Sequence, residues 1–158
     1  MAVNKLSDTA ADELLDKSPD QLYEILGMRA KAVEEDVGQQ GTFEPEVAYS
    51  DHMGAMEDLQ KLGRRIFAKV HLQAYGLICG SDSDDEDDRR KVIGALGIGW
   101  SAAVVTLSGV LVSSFGIGAA IAGVIAALVI NRFAKPVAEE GYKGMCELWK
   151  EYLPESSE

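Results

Sequence analysis

Residues 92–130 read VIGALGIGWSAAVVTLSGVLVSSFGIGAAIAGVIAALVI, 39 residues without one Asp, Glu, Lys, Arg or His. About 18 apolar residues already suffice to cross a bilayer as a helix. The run divides once, at Ser113-Ser114-Phe115-Gly116-Ile117-Gly118. On either side of that break, residues 92–112 would measure about 31 Å and residues 116–133 about 27 Å as helices. Both lengths approach the hydrocarbon thickness of about 30 Å. The stretch is expected to form a hydrophobic helical hairpin, and the protein's task to involve a membrane.

Outside the hairpin the pattern is helical throughout, so the expected fold class is all-α. Ser7 is placed to cap a short helix carrying Leu14 and Leu15. Ser18-Pro19-Asp20-Gln21 is a stronger start, with Ser at the cap, Pro in the first turn and Gln closing a capping box. Leu22, Ile25, Leu26, Ala30, Val33 and Val37 then form one apolar face, which Gly38-Gln39-Gln40-Gly41 stops. Pro45 permits another start. Met56, Leu59, Gly63, Ile66, Val70, Ala74 and Leu77 follow at alternating steps of three and four, a spacing that wants a helical partner. After Pro136, the residues Val137, Gly141, Met145, Leu148 and Tyr152 share a face, with Tyr142 and Trp149 beside it. This tail helix suits a membrane interface or a cover over the hairpin; its glycines and acids favour the cover. Four segments result: a helical regulatory or oligomerisation domain (1–80), an acidic linker with a basic collar (81–91), the hairpin (92–134) and the amphipathic tail (135–158).

Charge is distributed unevenly. Residues 1–91 hold 20 acids and 11 bases, net −9, and residues 131–158 hold 6 and 4, net −2, which together give the chain's −11. Such a balance opposes general binding to nucleic acid or adhesion to anionic lipid surfaces. Cys79 and Cys146 stand apart without metal-ligand spacing, so reduced cysteines in a cytoplasmic setting are expected rather than a disulfide. The opening MAVNKLSDTAADELL lacks the apolar core of a cleaved export signal. The acids from Asp82 to Asp88 do not fit a helix-loop-helix calcium site, whose sixth and twelfth positions would here be Asp87 and Ile93. They read as a solvated linker whose acids sit on the next helix N-terminus, with Ser83 as cap.

Arg89, Arg90 and Lys91 precede the apolar run, and Arg132 and Lys135 follow it. Basic residues flanking membrane segments stay cytoplasmic, so the tip at 113–118 should cross and both soluble parts remain inside. Trp100, Phe133 and Trp149 are candidate interfacial residues. Within the hairpin, Gly118, Ala122 and Ala126 recur every fourth residue, and Ala119, Gly123 and Ala127 run beside them. Gly97 with Ser101, and Gly109 with Ser113, repeat the spacing on the first arm. Rows of this kind let helix backbones approach closely, in lipid or in a tight soluble core. Seven glycines and five Ser or Thr lower the run's hydrophobicity, as suits a segment stored in protein and later inserted.

Catalytic signals are weak. His52 and His71 belong to no metal or triad pattern, and Gly94-x-x-Gly97-x-Gly99 lacks the context of a phosphate loop. No enzyme, metal or cofactor is expected. Lys61, Arg64, Arg65 and Lys69 concentrate positive charge on one helix, either as an anion site for a nucleotide, oligonucleotide or lipid headgroup, or as partners of neighbouring acids.

The layout of helical domain, acidic hinge, Gly/Ala-rich hairpin and amphipathic tail resembles small membrane-disrupting effectors of bacterial anti-phage defence. The hairpin alone is similar to the central hairpin of colicin-type pore-forming domains. The resemblance implies storage with the hairpin buried, homo-oligomerisation, and ion leakage after triggering. The leading expectation is therefore a membrane-active, channel-forming toxin-like effector at the cytoplasmic membrane, with a lipid bilayer as partner. The alternatives are a membrane-anchored adaptor binding a partner protein, and a soluble helical protein that buries its hairpin.

Overall fold

Helix starts follow the local chemistry. Ser7 caps α1 (Asp8–Leu15), its hydroxyl accepting from the Ala10 amide at 3.1 Å, and Leu14 and Leu15 turn inward. The next helix, α2 (Pro19–Glu35), opens with the complete capping box. The Ser18 hydroxyl accepts from the Gln21 amide, and the Gln21 side chain accepts from the Ser18 amide. The chain leaves α2 through a 3-10 turn at Val37–Gly41. No helix begins at Pro45; α3 (Met56–Cys79) starts later and carries Glu57 and Asp58 in its first turn. The computed structural model describes residues 6–45, 47, 54–80 and 85–153, all helix, turn or irregular chain without a strand. Ser83, expected as a cap, lies outside the described residues, as does His52.

The hairpin differs from expectation in its first arm. Residues 92–112 were expected as one helix, but Gly99 leaves the helical region (φ 159°, ψ 171°) and separates α4 (Glu86–Ile98) from α5 (Trp100–Phe115). Glycine lacks the side chain that would favour continuing the helix, so the break falls where the backbone is least restrained. The break also serves packing, because α4 lies on α3 and α7 whereas α5 lies on α1 and α6. Ser113 and Ser114 belong to α5, and the turn itself is Gly116-Ile117-Gly118. Gly116 takes the left-handed conformation (φ 66°, ψ 23°) that ends a helix favourably at glycine. The second arm is α6 (Ala119–Val129), continued by a π-helical segment Ile130–Ala134 and a 3-10 segment Lys135–Glu140. Val137 departs from helical geometry there, so the tail helix α7 begins at Gly141 rather than just after Pro136 and ends at Glu151.

A single hydrophobic core joins residues from Leu6 to Trp149. Its axis is α6, on which α1, α2, α3 and α5 all pack. Around this axis the tightest approach lies between α2 and α3. A Cβ on Gly27 would stand 2.2 Å from the Leu59 carbonyl oxygen, and one on Gly63 would stand 2.1 Å from that of Tyr23. The contacts are reciprocal and antiparallel: each helix offers a glycine to the other's backbone four residues from its own point of contact. Arg64 to Asp20 (2.9 Å) and Gln60 to Glu24 (2.6 Å) flank this crossing at its wet edge.

Gly27→Ala and Gly63→Ala should each force the helices apart and destabilise by about 1–3 kcal/mol, the usual range for overpacking. Gly76, on the exposed side of α3, has open space where a Cβ would sit. Gly76→Ala should therefore stabilise by about 0.5–1 kcal/mol through helix propensity. Urea titration of the three variants checks the contrast in sign.

Candidate functional site

The most distinctive site is the enclosed second arm. Residues 122–130 are all buried, and Ala122 and every residue from Val124 to Ile130 are 0% exposed. A helix without one polar side chain satisfies its own backbone and asks only for apolar neighbours. The stretch Ala119–Glu151 is long and apolar enough to cross a membrane by length and composition, and 67% of its most apolar window is buried here. Arg29 reaches from α2 to this arm, donating to the Ala120 carbonyl at 3.1 Å and to the Phe43 carbonyl at 3.4 Å. Burial lowers the Arg29 pKa, and nearby Glu44 raises it in opposition.

The small residues divide into two groups. On α6, Ala119, Ala122, Ala126 and Ala127 are buried, but Gly123 faces the N-terminal segment rather than the other arm. A Cβ there would meet Leu6 at 3.3 Å and Leu14 at 3.8 Å. Gly118, just before α6, lies against the Gln40 side chain. On the first arm, Gly97 and Gly109 have open space where a Cβ would sit, Ser101 is half-buried and Ser113 is exposed. Among the glycines, close approach of one helix to the backbone of another occurs at Gly27 and Gly63.

Four of the five collar residues are engaged within the protein. Arg89 donates to the Leu77 carbonyl at 3.0 Å, Arg90 pairs with Glu86 at 2.6 Å, and Lys91 lies 4.0 Å from Asp88. Arg132 donates to the Tyr23 hydroxyl and lies over the Phe133 and Tyr152 rings. Lys135 is half-buried, and Trp100 is half-buried beside Leu96, Ala134, Tyr142 and Met145. The cationic cluster on α3 splits. Arg64 turns to Asp20 and lies over the Tyr23 ring, whereas Lys61, Arg65 and Lys69 form an exposed row at steps of four. Among the described residues no group of three or more His, Cys, Asp or Glu side chains could hold a metal ion.

The tail helix is fastened by three specific contacts. Cys79, the last residue of α3, is joined to Cys146 of α7, with Cα atoms 5.6 Å apart. The expectation of reduced cysteines is thus corrected. A sequence separation of 67 residues says nothing about spatial approach, which the docking of α7 on α3 creates. In a chain-entropy account, closing a loop of that length contributes about 4 kcal/mol. The Tyr142 hydroxyl donates to the Ile78 carbonyl, and Trp149 Nε1 donates to His71 Nδ1 at 3.0 Å. Trp149 is fully buried between stacked Phe133, at 5.1 Å between ring centroids, and edge-on Tyr75. Phe67 stacks on His71 at 4.8 Å between ring centroids.

Sequence reasoning placed Trp149 beside the tail's apolar face; it lies at the centre. It also set His71 aside, although Phe67, His71, Tyr75 and Cys79 fall at successive steps of four on α3. That row, set against Tyr142, Cys146 and Trp149 on α7, was the available signal.

Because Nδ1 accepts from Trp149, the neutral ring carries its proton on Nε2. Burial first, and the Arg132 charge second, push the His71 pKa below its ordinary value. The sign follows: the unfolded chain takes up a proton near pH 6.5 while the folded chain resists. This stability is present above about pH 6.5 and is lost as pH falls through the lowered folded value. The melting temperature should therefore drop on acidification through that window. His71→Gln, which keeps an acceptor for Trp149 but does not titrate, should flatten the slope. Equal slopes for the two proteins would remove His71 as its source.

Comparison with protein-family models, with curated proteins and with solved structures finds no match.

Proposed function

We propose that the protein is a membrane-active effector that holds its apolar hairpin inside a helical covering until triggered, and then permeabilises a bilayer. The observation that carries this reading is α6, an uncharged helix whose residues 122–130 are all buried beneath α1, α2, α3 and the equally uncharged α5. Supporting it, the α4–α5 corner presents Ile98, 81% exposed, next to half-buried Trp100. In the stored form α5 is only about 24 Å long, shorter than a hydrocarbon core. Insertion therefore requires α4 and α5 to straighten through Gly99, which restores the uncharged run beginning at Val92 to full spanning length. The tip at 116–118 crosses, and the collars, released from Glu86, Asp88 and Tyr23, remain on the side from which the hairpin inserts.

Assembly into a homo-oligomer would use the α6 alanine and glycine rows once Leu6 and Leu14 withdraw. The exposed row Lys61, Arg65 and Lys69 is the place for an anionic nucleotide or oligonucleotide regulator. A second reading rests on the same burial: α6 is the core helix of a water-soluble bundle and never leaves it.

Vesicle permeabilisation separates the two. Gly123→Leu drives a side chain into Leu6 and Leu14, and Trp149→Ala empties the site beneath α7 at a cost of about 3–5 kcal/mol. Dye-loaded vesicles should stay sealed with the intact chain and leak with either variant. If both variants melt at lower temperature yet leave vesicles sealed, the soluble-bundle reading stands.

A further inference from the structure

We infer that Cys79–Cys146 is a thiol-exchange site for a dithiol reductant, and that its reduction releases α7 from α3. Both cysteines are half-buried and line an open groove of about 430 Å³ with Tyr75, Tyr142, Lys143, Glu147 and Lys150. The bond therefore borders an open groove, unlike a staple sealed in a core. Lys143 and Lys150 outnumber Glu147 around it, and positive charge stabilises a departing thiolate. The rings of Tyr75 and Tyr142 supply apolar walls on which a flat or aliphatic reductant rests.

The exchange balances without further reactants. A thiolate of the dithiol attacks one sulfur of the pair, forming a mixed disulfide and expelling the other as thiolate. The reductant's second thiol then displaces the first cysteine. The dithiol leaves oxidised by two electrons, and Cys79 and Cys146 end as thiols with two protons gained.

Release follows from how α7 is otherwise held. Beyond the disulfide, α7 is tied to α3 by the Tyr142 bond to the Ile78 carbonyl, the Trp149 bond to His71 and the edge contact of Trp149 with Tyr75, and a short 11-residue helix is marginal alone. Glycines at 141 and 144 weaken it further. Freed, α7 uncovers Phe133 and the end of the α6 arm. Only this last consequence rests on the proposed function, where it supplies the trigger.

Trp100 and Trp149 are the chain's two tryptophans, so full-length protein carrying Trp100→Phe reports Trp149 alone. On treatment with dithiothreitol, Trp149 emission should move to longer wavelength, and amide exchange over 142–151 should accelerate about tenfold or more, as for a released local unit. Exchange in α2 and α3 around Gly27 and Gly63 should stay unchanged, and reoxidation should restore both readouts. Full-length Cys146→Ser should behave as the reduced protein with or without dithiothreitol. If that variant aggregates, the reduction and reoxidation cycle of the parent gives the same answer. Once two thiols per chain are titrated, unchanged emission and exchange overturn the inference. So does simultaneous loss of protection in α2 and α3, since the bond is then a global staple. Release of α7 without vesicle leakage leaves the exchange site standing and removes the membrane reading.

Discussion

A helix that is apolar on all sides constrains everything around it, because water cannot be allowed to touch any of its faces. In this protein that helix is α6, and the other elements are arranged by what they contribute to covering it. The amphipathic helices α1 and α2 each bring one apolar face, and α5 brings the other arm of the hairpin. α3 touches α6 and clamps α2 through the two glycine contacts. Those glycines matter because a covering only one helix thick must have few gaps. Close approach of α2 and α3 brings Leu22, Leu26, Leu59, Phe67 and Ala74 into a layer that leaves little space. Burial of each large side chain contributes about 1.5–3 kcal/mol, so the covering holds through many modest terms.

Local signals were legible where they depend on a few adjacent residues. Ser18 and Gln21 form the capping box that their spacing announces, and Ser7 caps α1 as its position suggests. The all-α class and the hairpin turn near residue 116 followed from composition and periodicity alone. Legibility ended where the answer depended on which distant surfaces meet. Gly99 reads as one glycine among seven in the run, and only the separate partners of α4 and α5 make it the breaking point. Gly123 belongs to a small-residue row in sequence, yet it receives Leu6 and Leu14 rather than the other arm of the hairpin. The cysteines, the histidine and the tail tryptophan are each uninformative singly. Their meaning lies in a meeting of α3 with α7 that no local pattern encodes.

The same meeting explains the electrostatics of the site. A histidine enclosed by Phe67, Phe133 and Trp149 is costly to charge, and Arg132 on the neighbouring π-helical segment adds repulsion. Neutral His71 is in turn the acceptor that lets a buried indole N–H avoid an unsatisfied donor. One proton on the wrong nitrogen would therefore disturb both rings at once. Arg132 avoids being a buried lone charge because it lies over Tyr152, which remains half exposed, and donates to Tyr23. The wider turn at Ile130–Ala134 is where this arginine sits between core and surface.

The order of the elements along the chain has a consequence for biosynthesis. The helices α1, α2 and α3 are made before α6, so three of its covering surfaces already exist when the arm is translated. The last cover, α7, follows after the π-helical and 3-10 segments, a delay of about one to a few seconds at ordinary translation rates of about 5–20 residues per second. During that interval Phe133 and the end of the arm lack the apolar surface of Trp149 that covers them in the finished fold. How long the covering stays incomplete is thus set at the ribosome, by the speed at which some twenty residues are added.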